Sequence, residues 1–118
     1  MKEPGSHHPI TITPHVGIVR VHLDGRIIAE TERALELREA GYEPVLYIPH
    51  DDVEARVLAP NPRRTHCPYK GEASYFDLCA GGEPQRAAAW SYPNPFPAVA
   101  RIRGHLAFYR DRVEIIEA

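Results

Sequence analysis

The chain has 118 residues, 43% of them hydrophobic and 25% charged, with a formal net charge of −2. That is the size of one packed domain and too short for a catalytic domain joined to a separate binding domain. The charge offers no electrostatic basis for binding nucleic acid or a membrane surface, no apolar run approaches the ~20 residues that cross a bilayer, and no basic segment feeds an apolar one at the N-terminus, so a cytoplasmic protein is expected.

Residues 1–9 lack a periodic apolar face and hold Pro4, Gly5, His7 and His8, which reads as a flexible N-terminal arm and leaves 10–118 as a single β-rich domain. From Val16 to Leu23 β-branched residues recur, and Asp24-Gly25 stands directly before Arg26-Ile27-Ile28-Ala29, which predicts a two-residue hairpin. Thr31 to Ala40 is good helix-forming sequence by propensity, yet Leu35 and Leu37 alternate with Glu36 and Arg38, and the alternation favours a strand. Val45-Leu46-Tyr47-Ile48 is a second β-like run, ended by Pro49. Asp51-Asp52 precede Val53 to Leu58, where a carboxylate cap would start one short helix near 52–58.

Asn61 to Pro68 is bracketed by prolines and reads as a loop leading into Tyr69-Lys70-Gly71. Ala73 to Leu78 and Arg86 to Tyr92 make a second hairpin around Gly81-Gly82, and Pro93, Pro95 and Pro97 forbid an interior strand immediately afterwards. His105 to Tyr109 and Val113 to Ile116, split by Arg110-Asp111-Arg112, predict a closing hairpin. The 12 prolines are spread along the chain, which suits short elements between fixed turns. The fold class expected is therefore mainly β, a compact single domain of antiparallel hairpins.

Cys67 and Cys79 are too few for a disulfide framework and read as reduced thiols. The stretch Thr65 to Tyr75 gathers a thiol, an amine, an imidazole and two phenols around a glycine. A thiolate forms more easily beside a cation, so Cys67 with Lys70 and His66 is a candidate catalytic group, and Gly71 would let a ligand approach the backbone. Against this stands the plain alternative of Cys67 as a buried small hydrophobe and Lys70 as a solvated or ion-paired side chain. Trp90 and Tyr92 are two apart on one strand and share a face, and Tyr75 lies on the strand expected to pair with theirs. Together with Tyr69 and Gly71 they are the candidate ligand-binding residues, although aromatics on one sheet face also serve simply as core.

Other chemistries lack their residues. The cysteines have no zinc spacing and the remaining histidines are scattered, so no metal site is expected. No phosphate loop or dinucleotide motif occurs, and no cofactor is expected.

The chain resembles the family known as domain of unknown function 427. The resemblance runs from His8-Pro9-Ile10 and Asp24-Gly25 through Tyr47-Ile48-Pro49 and Thr65-His66-Cys67-Pro68-Tyr69-Lys70-Gly71 to Ala89-Trp90-Ser91-Tyr92-Pro93 and Gly104 to Tyr109. It implies a compact β-rich domain similar to the β-tent architecture, and no particular activity. The nucleotidyltransferase label attached to that family is not matched by these residues: Gly5-Ser6 lies in the arm and Asp51-Asp52 are adjacent, so their side chains diverge on an extended chain. Two readings remain open: a module binding an unknown small molecule in an aromatic pocket, or an enzyme with Cys67 as nucleophile, either as monomer or homodimer.

Overall fold

In the computed structural model, which describes residues 1–118, ten strands form two antiparallel sheets. The strands are β1 (Ile10–Pro14), β2 (Val19–Leu23), β3 (Arg26–Thr31), β4 (Leu35–Glu39), β5 (Val45–Pro49), β6 (Leu58–Cys67), β7 (Gly71–Leu78), β8 (Gln85–Ser91), β9 (His105–Phe108) and β10 (Glu114–Glu117). Seven of them make one sheet in the order β1-β4-β5-β9-β8-β7-β6, and β10-β2-β3 make the other. The single-turn helical segments are 3-10 turns, and no helix is long and apolar enough to cross a membrane.

Alternation along the strands builds two cores, one on each face of the large sheet. On one face Leu46, Ile48, Ala89, Leu106 and Phe108 meet Val19, Val21 and Leu23 of β2 and Ile28 of β3, so the small sheet covers that side. Val19, Val21, Ile48 and Leu106 are wholly shielded from water there. The other face carries Leu37, Tyr47, Ala73, Tyr75, Tyr92 and Ala107, partly closed by Val99 and Ile102 from the 3-10 segment Pro97–Ile102. This second face is the aromatic one.

Where the local signal was strong, the expected elements form. Asp24 and Gly25 take φ of 51° and 79°, the left-handed pair that a tight β2–β3 turn requires. Over Thr31 to Ala40, where helix propensity and strand alternation stood against each other, the outcome is the strand β4, paired with both β1 and β5. β7 and β8 form the second hairpin, with Tyr75 directly opposite Trp90.

Four expectations need correction. The short helix near 52–58 is broken into two 3-10 turns, His50–Asp52 and Ala55–Val57, because Val53 is drawn into a bridge with Ala29 and the Glu54 N–H donates to the Ile28 carbonyl. Neither turn has a side-chain cap; Asp52 instead accepts from the Thr31 hydroxyl at 2.7 Å and from Arg33 at 3.2 Å. Asn61–Cys67 is not a loop but part of β6, which tolerates Pro60 and Pro62 because it is the sheet's edge strand and is bulged between Asn61 and Arg64. The closing hairpin does not form either. Both edges of β9 are taken by β5 and β8, so the turn after Tyr109 carries the chain across to the small sheet, where β10 pairs with β2.

Candidate functional site

Residues directly opposite each other on neighbouring strands share a face. By register, Tyr75 faces the same side as Trp90, Trp90 the same side as Ala107, and Leu35 the same side as Tyr47. Tyr92 and Tyr109, just beyond the ends of β8 and β9, join them around a cavity of about 210 Å³. Leu37, Val45 and Tyr47 line it as well, Tyr42 and Glu43 reach it from the β4–β5 turn, and Glu39 and Lys70 complete it. The Trp90 and Tyr109 rings lie 4.5 Å apart between centroids, tilted by 43°.

Lys70 enters from the turn between β6 and β7. Gly71, which follows it, has φ of 111°, and a Cβ there would lie 3.3 Å from the Asn94 carbonyl oxygen. That glycine lets the 93–96 segment lie close, where the Phe96 N–H donates to the Lys70 carbonyl at 3.0 Å. The lysine side chain is only 11% exposed, and its Nζ donates to Glu39 Oε1 at 2.5 Å while lying 5.9 Å from the centre of the Tyr92 ring. The second Glu39 oxygen accepts from His8 Nε2 at 2.7 Å, and the His8 ring stacks on Tyr69 at 3.9 Å. The arm is thus in contact with the site, helped by the Lys2 N–H donating to the Pro68 carbonyl.

A second cavity of about 330 Å³ lies alongside, lined by His8, Cys67, Pro68 and Tyr69 together with Glu39, Tyr42 and Lys70. Because Glu39, Lys70 and Tyr42 line both cavities, the ion pair and one phenol ring form the partition between them.

Burial alone would push the Glu39 carboxyl up, but the hydrogen bonds and charges of Lys70 and His8 outweigh it and hold the group below its ordinary range. Burial drives the Tyr47 and Tyr92 hydroxyls well above the usual phenol range, and Tyr109 is raised by burial and by its Tyr75 neighbour. The Tyr47, Tyr92 and Tyr109 walls are therefore uncharged near neutral pH. The site offers flat neutral surfaces beside one shielded ion pair.

Of the residues singled out from sequence, Lys70, Tyr75, Trp90 and Tyr92 line the first cavity, and Cys67, Tyr69 and Lys70 the second. Gly71 acts on the backbone behind them. His66 stands apart: it alternates with Thr65 and Cys67 along β6, its Nδ1 lies 2.6 Å from Glu72 Oε1, and its ring meets Phe96 edge-on at 6.2 Å. Thr65, by contrast, shares a 2.8 Å hydrogen bond with the Tyr75 hydroxyl. Sequence reasoning passed over Glu39, His8, Tyr47 and Tyr109. Glu39 had one readable signal, since it falls two residues beyond Leu37 on the apolar side of β4. No group of three or more His, Cys, Asp or Glu side chains is arranged to hold a metal ion.

No curated protein matches the chain. A family model described as a domain of unknown function (DUF427) matches residues 11–118, nearly the whole chain and every strand that builds the cavity, and the protein belongs to that family.

Proposed function

We propose that the protein is a small-molecule binding module whose ligand occupies the cavity walled by Tyr75, Trp90 and Tyr92 and closed at one side by Lys70 and Glu39. The observation that carries this reading is a shielded ion pair next to a concave aromatic cleft. The rings line a concave cleft that opens to solvent, with Tyr109 36% exposed at its rim, so a ligand can reach this face. At about 210 Å³ the cavity lies below the ~300–1,000 Å³ of drug-sized sites, so the ligand it suits is fragment-sized.

Trp90 is the chain's single tryptophan, so its indole N–H resonance reports on the chamber directly. Titration with a library of small aromatic and polar fragments is expected to shift that resonance together with the amides of Lys70 and Tyr92. Failure of every fragment to do so would refute the proposal. Trp90→Ala is expected to abolish the Lys70 and Tyr92 amide responses while lowering stability by less than the ~3–5 kcal/mol typical of a fully buried aromatic, since Trp90 is only half-buried.

A second reading, with Cys67 as nucleophile, draws on the neighbouring cavity that Cys67 shares with Lys70 and His8. It is the weaker of the two, because the ammonium and the imidazole are both engaged by Glu39 and neither is a free base. A neutral alkylating agent discriminates: if Cys67 in the folded protein reacts at pH 7 no faster than a model thiol, this reading falls.

A further inference from the structure

We infer that the ligand of the aromatic cleft is a small uncharged carbonyl compound, whose oxygen enters the cleft and accepts hydrogen bonds from Lys70 and from the Tyr47 and Tyr92 hydroxyls. The inference rests on the binding-module reading above and adds the chemical class. It follows from the polar atoms that the protein leaves without partners. Tyr47 and Tyr92 both line the cleft and are only 1% and 7% exposed, yet neither O–H has an acceptor within the protein. The polar side-chain atoms that are sealed from solvent without a partner lie elsewhere, at His15 Nε2 and His22 Nε2, so the unpaired hydroxyls of Tyr47 and Tyr92 reach open volume. The Trp90 indole N–H lies beside the Tyr47 oxygen, but it can only donate and leaves the Tyr47 O–H itself free. The Tyr75 hydroxyl, by contrast, is bonded to Thr65.

Lys70 adds to this surplus of donors. Glu39 accepts one of its ammonium N–H groups and no other side chain accepts the rest. Acceptors are scarce by comparison: one Glu39 oxygen takes Lys70, the other takes His8, and Glu43 stands in water at the exposed rim. A shielded donor without an acceptor is costly, and a ligand oxygen that reaches several of them removes that cost. The charge of the ligand follows from the same groups. Lys70 and Glu39 cancel, and near the mouth the Arg63 guanidinium, 4.8 Å from the centre of the Tyr75 ring, offsets the Glu43 carboxylate, so the cleft has no net charge to attract an ion. A ligand carboxylate would crowd Glu39 on the same ammonium, and a ligand ammonium would meet Lys70 and spare donors.

The test titrates three probes into the full-length protein at pH 7 while the Trp90 indole resonance and the Tyr92 amide are followed: acetophenone, α-methylstyrene, in which a methylene group replaces the carbonyl oxygen, and benzoate. The first two share shape and carry no charge, so their affinity ratio reports the oxygen alone. Acetophenone is expected to bind roughly tenfold more tightly than α-methylstyrene, the ratio produced when a shielded donor is left unpaired, and more tightly than benzoate. Tyr47→Phe and Tyr92→Phe should each reduce the first ratio roughly threefold, with folding of both variants confirmed from amide dispersion. Because the Tyr92 O–H has no acceptor in the free protein, Tyr92→Phe should not lower the urea midpoint. A lowered midpoint would show that the hydroxyl is already satisfied within the fold and would overturn the inference. Equal binding of acetophenone and α-methylstyrene, or tighter binding of benzoate, would also overturn it while leaving the binding-module reading in place. If none of the three shifts the Trp90 resonance but other fragments do, the carbonyl inference falls alone. If no compound of any class shifts it, both readings fall.

Discussion

Separating Lys70 from Glu39 is the sharpest perturbation available. Both side chains are about nine-tenths shielded, at 11% and 13% exposure, and their polar atoms are 2.5 Å apart. Breaking a buried pair by removing one partner costs about 3–5 kcal/mol, chiefly because the remaining charge is stranded, whereas removing both is far milder. Lys70→Met leaves Glu39 with His8 as its one remaining partner, so a loss near the low end, about 3 kcal/mol, is expected. Glu39→Gln leaves an ammonium that still has the Tyr92 face and an amide oxygen able to accept from it, so about 2 kcal/mol is expected. The double variant should also lose only about 2 kcal/mol, from lost packing and from the abandoned His8, which makes the coupling about 3 kcal/mol. Urea unfolding at pH 7, followed by far-UV circular dichroism so that changes near Trp90 do not dominate the signal, measures each corner of the cycle. Additive losses, with coupling below about 0.5 kcal/mol, would show that the pair is not held as described.

The same carboxylate gives a pH dependence. Its folded-state pKa lies below the ordinary value of 4.5, so its contribution is fully present above that value and is lost as pH falls through the folded pKa. Acid titration of stability should therefore be steeper for the native chain than for Glu39→Gln below about pH 4.5. Gly71→Ala combines a φ of 111° with a Cβ 3.3 Å from the Asn94 carbonyl, and is expected to cost more than about 1 kcal/mol and to disturb the Phe96 resonances. Ala87 has the opposite problem: a φ of 48° without being glycine, imposed where its N–H donates to Asp77 at 2.8 Å. Ala87→Gly should be neutral to stabilising by about 1 kcal/mol in the same unfolding assay, and clear destabilisation would mean that the strain is absent.

What was legible in the sequence is what local chemistry decides. Asp24-Gly25 specifies its turn by backbone preference alone, and the β7–β8 hairpin then brings Tyr75 opposite Trp90, so two walls of the chamber follow from near neighbours. What was hidden depends on which edges are free. The pattern of β9 and β10 is that of two strands, but nothing local shows that β5 and β8 already flank β9. The prolines of β6 speak for a loop until its place at the edge of the sheet is known. Glu39 is 31 residues from Lys70, and only the β4–β5–β9 order carries it to the aromatic face.

The ion pair is also the reason to treat this face as a site and not as a second core. Withdrawing an ammonium and a carboxylate from water costs several kcal/mol per ion before their attraction returns any of it, and apolar residues of similar volume would serve stability as well or better. The opposite face of the same sheet does this: Leu46, Ile48, Leu106 and Phe108 pack against β2 and β3 with no charged group among them. One sheet thus carries two faces of different character, a largely apolar one under the small sheet and an aromatic one with a shielded ion pair beside a cleft. The turn that supplies Lys70 is held by Gly71 and by the Phe96 N–H, and the strand that supplies Glu39 is paired on both sides, so the partition between the cavities rests on rigid elements. A dividing wall that firmly placed is what the proposed binding module would need, because a preformed site avoids the cost of ordering itself around its ligand.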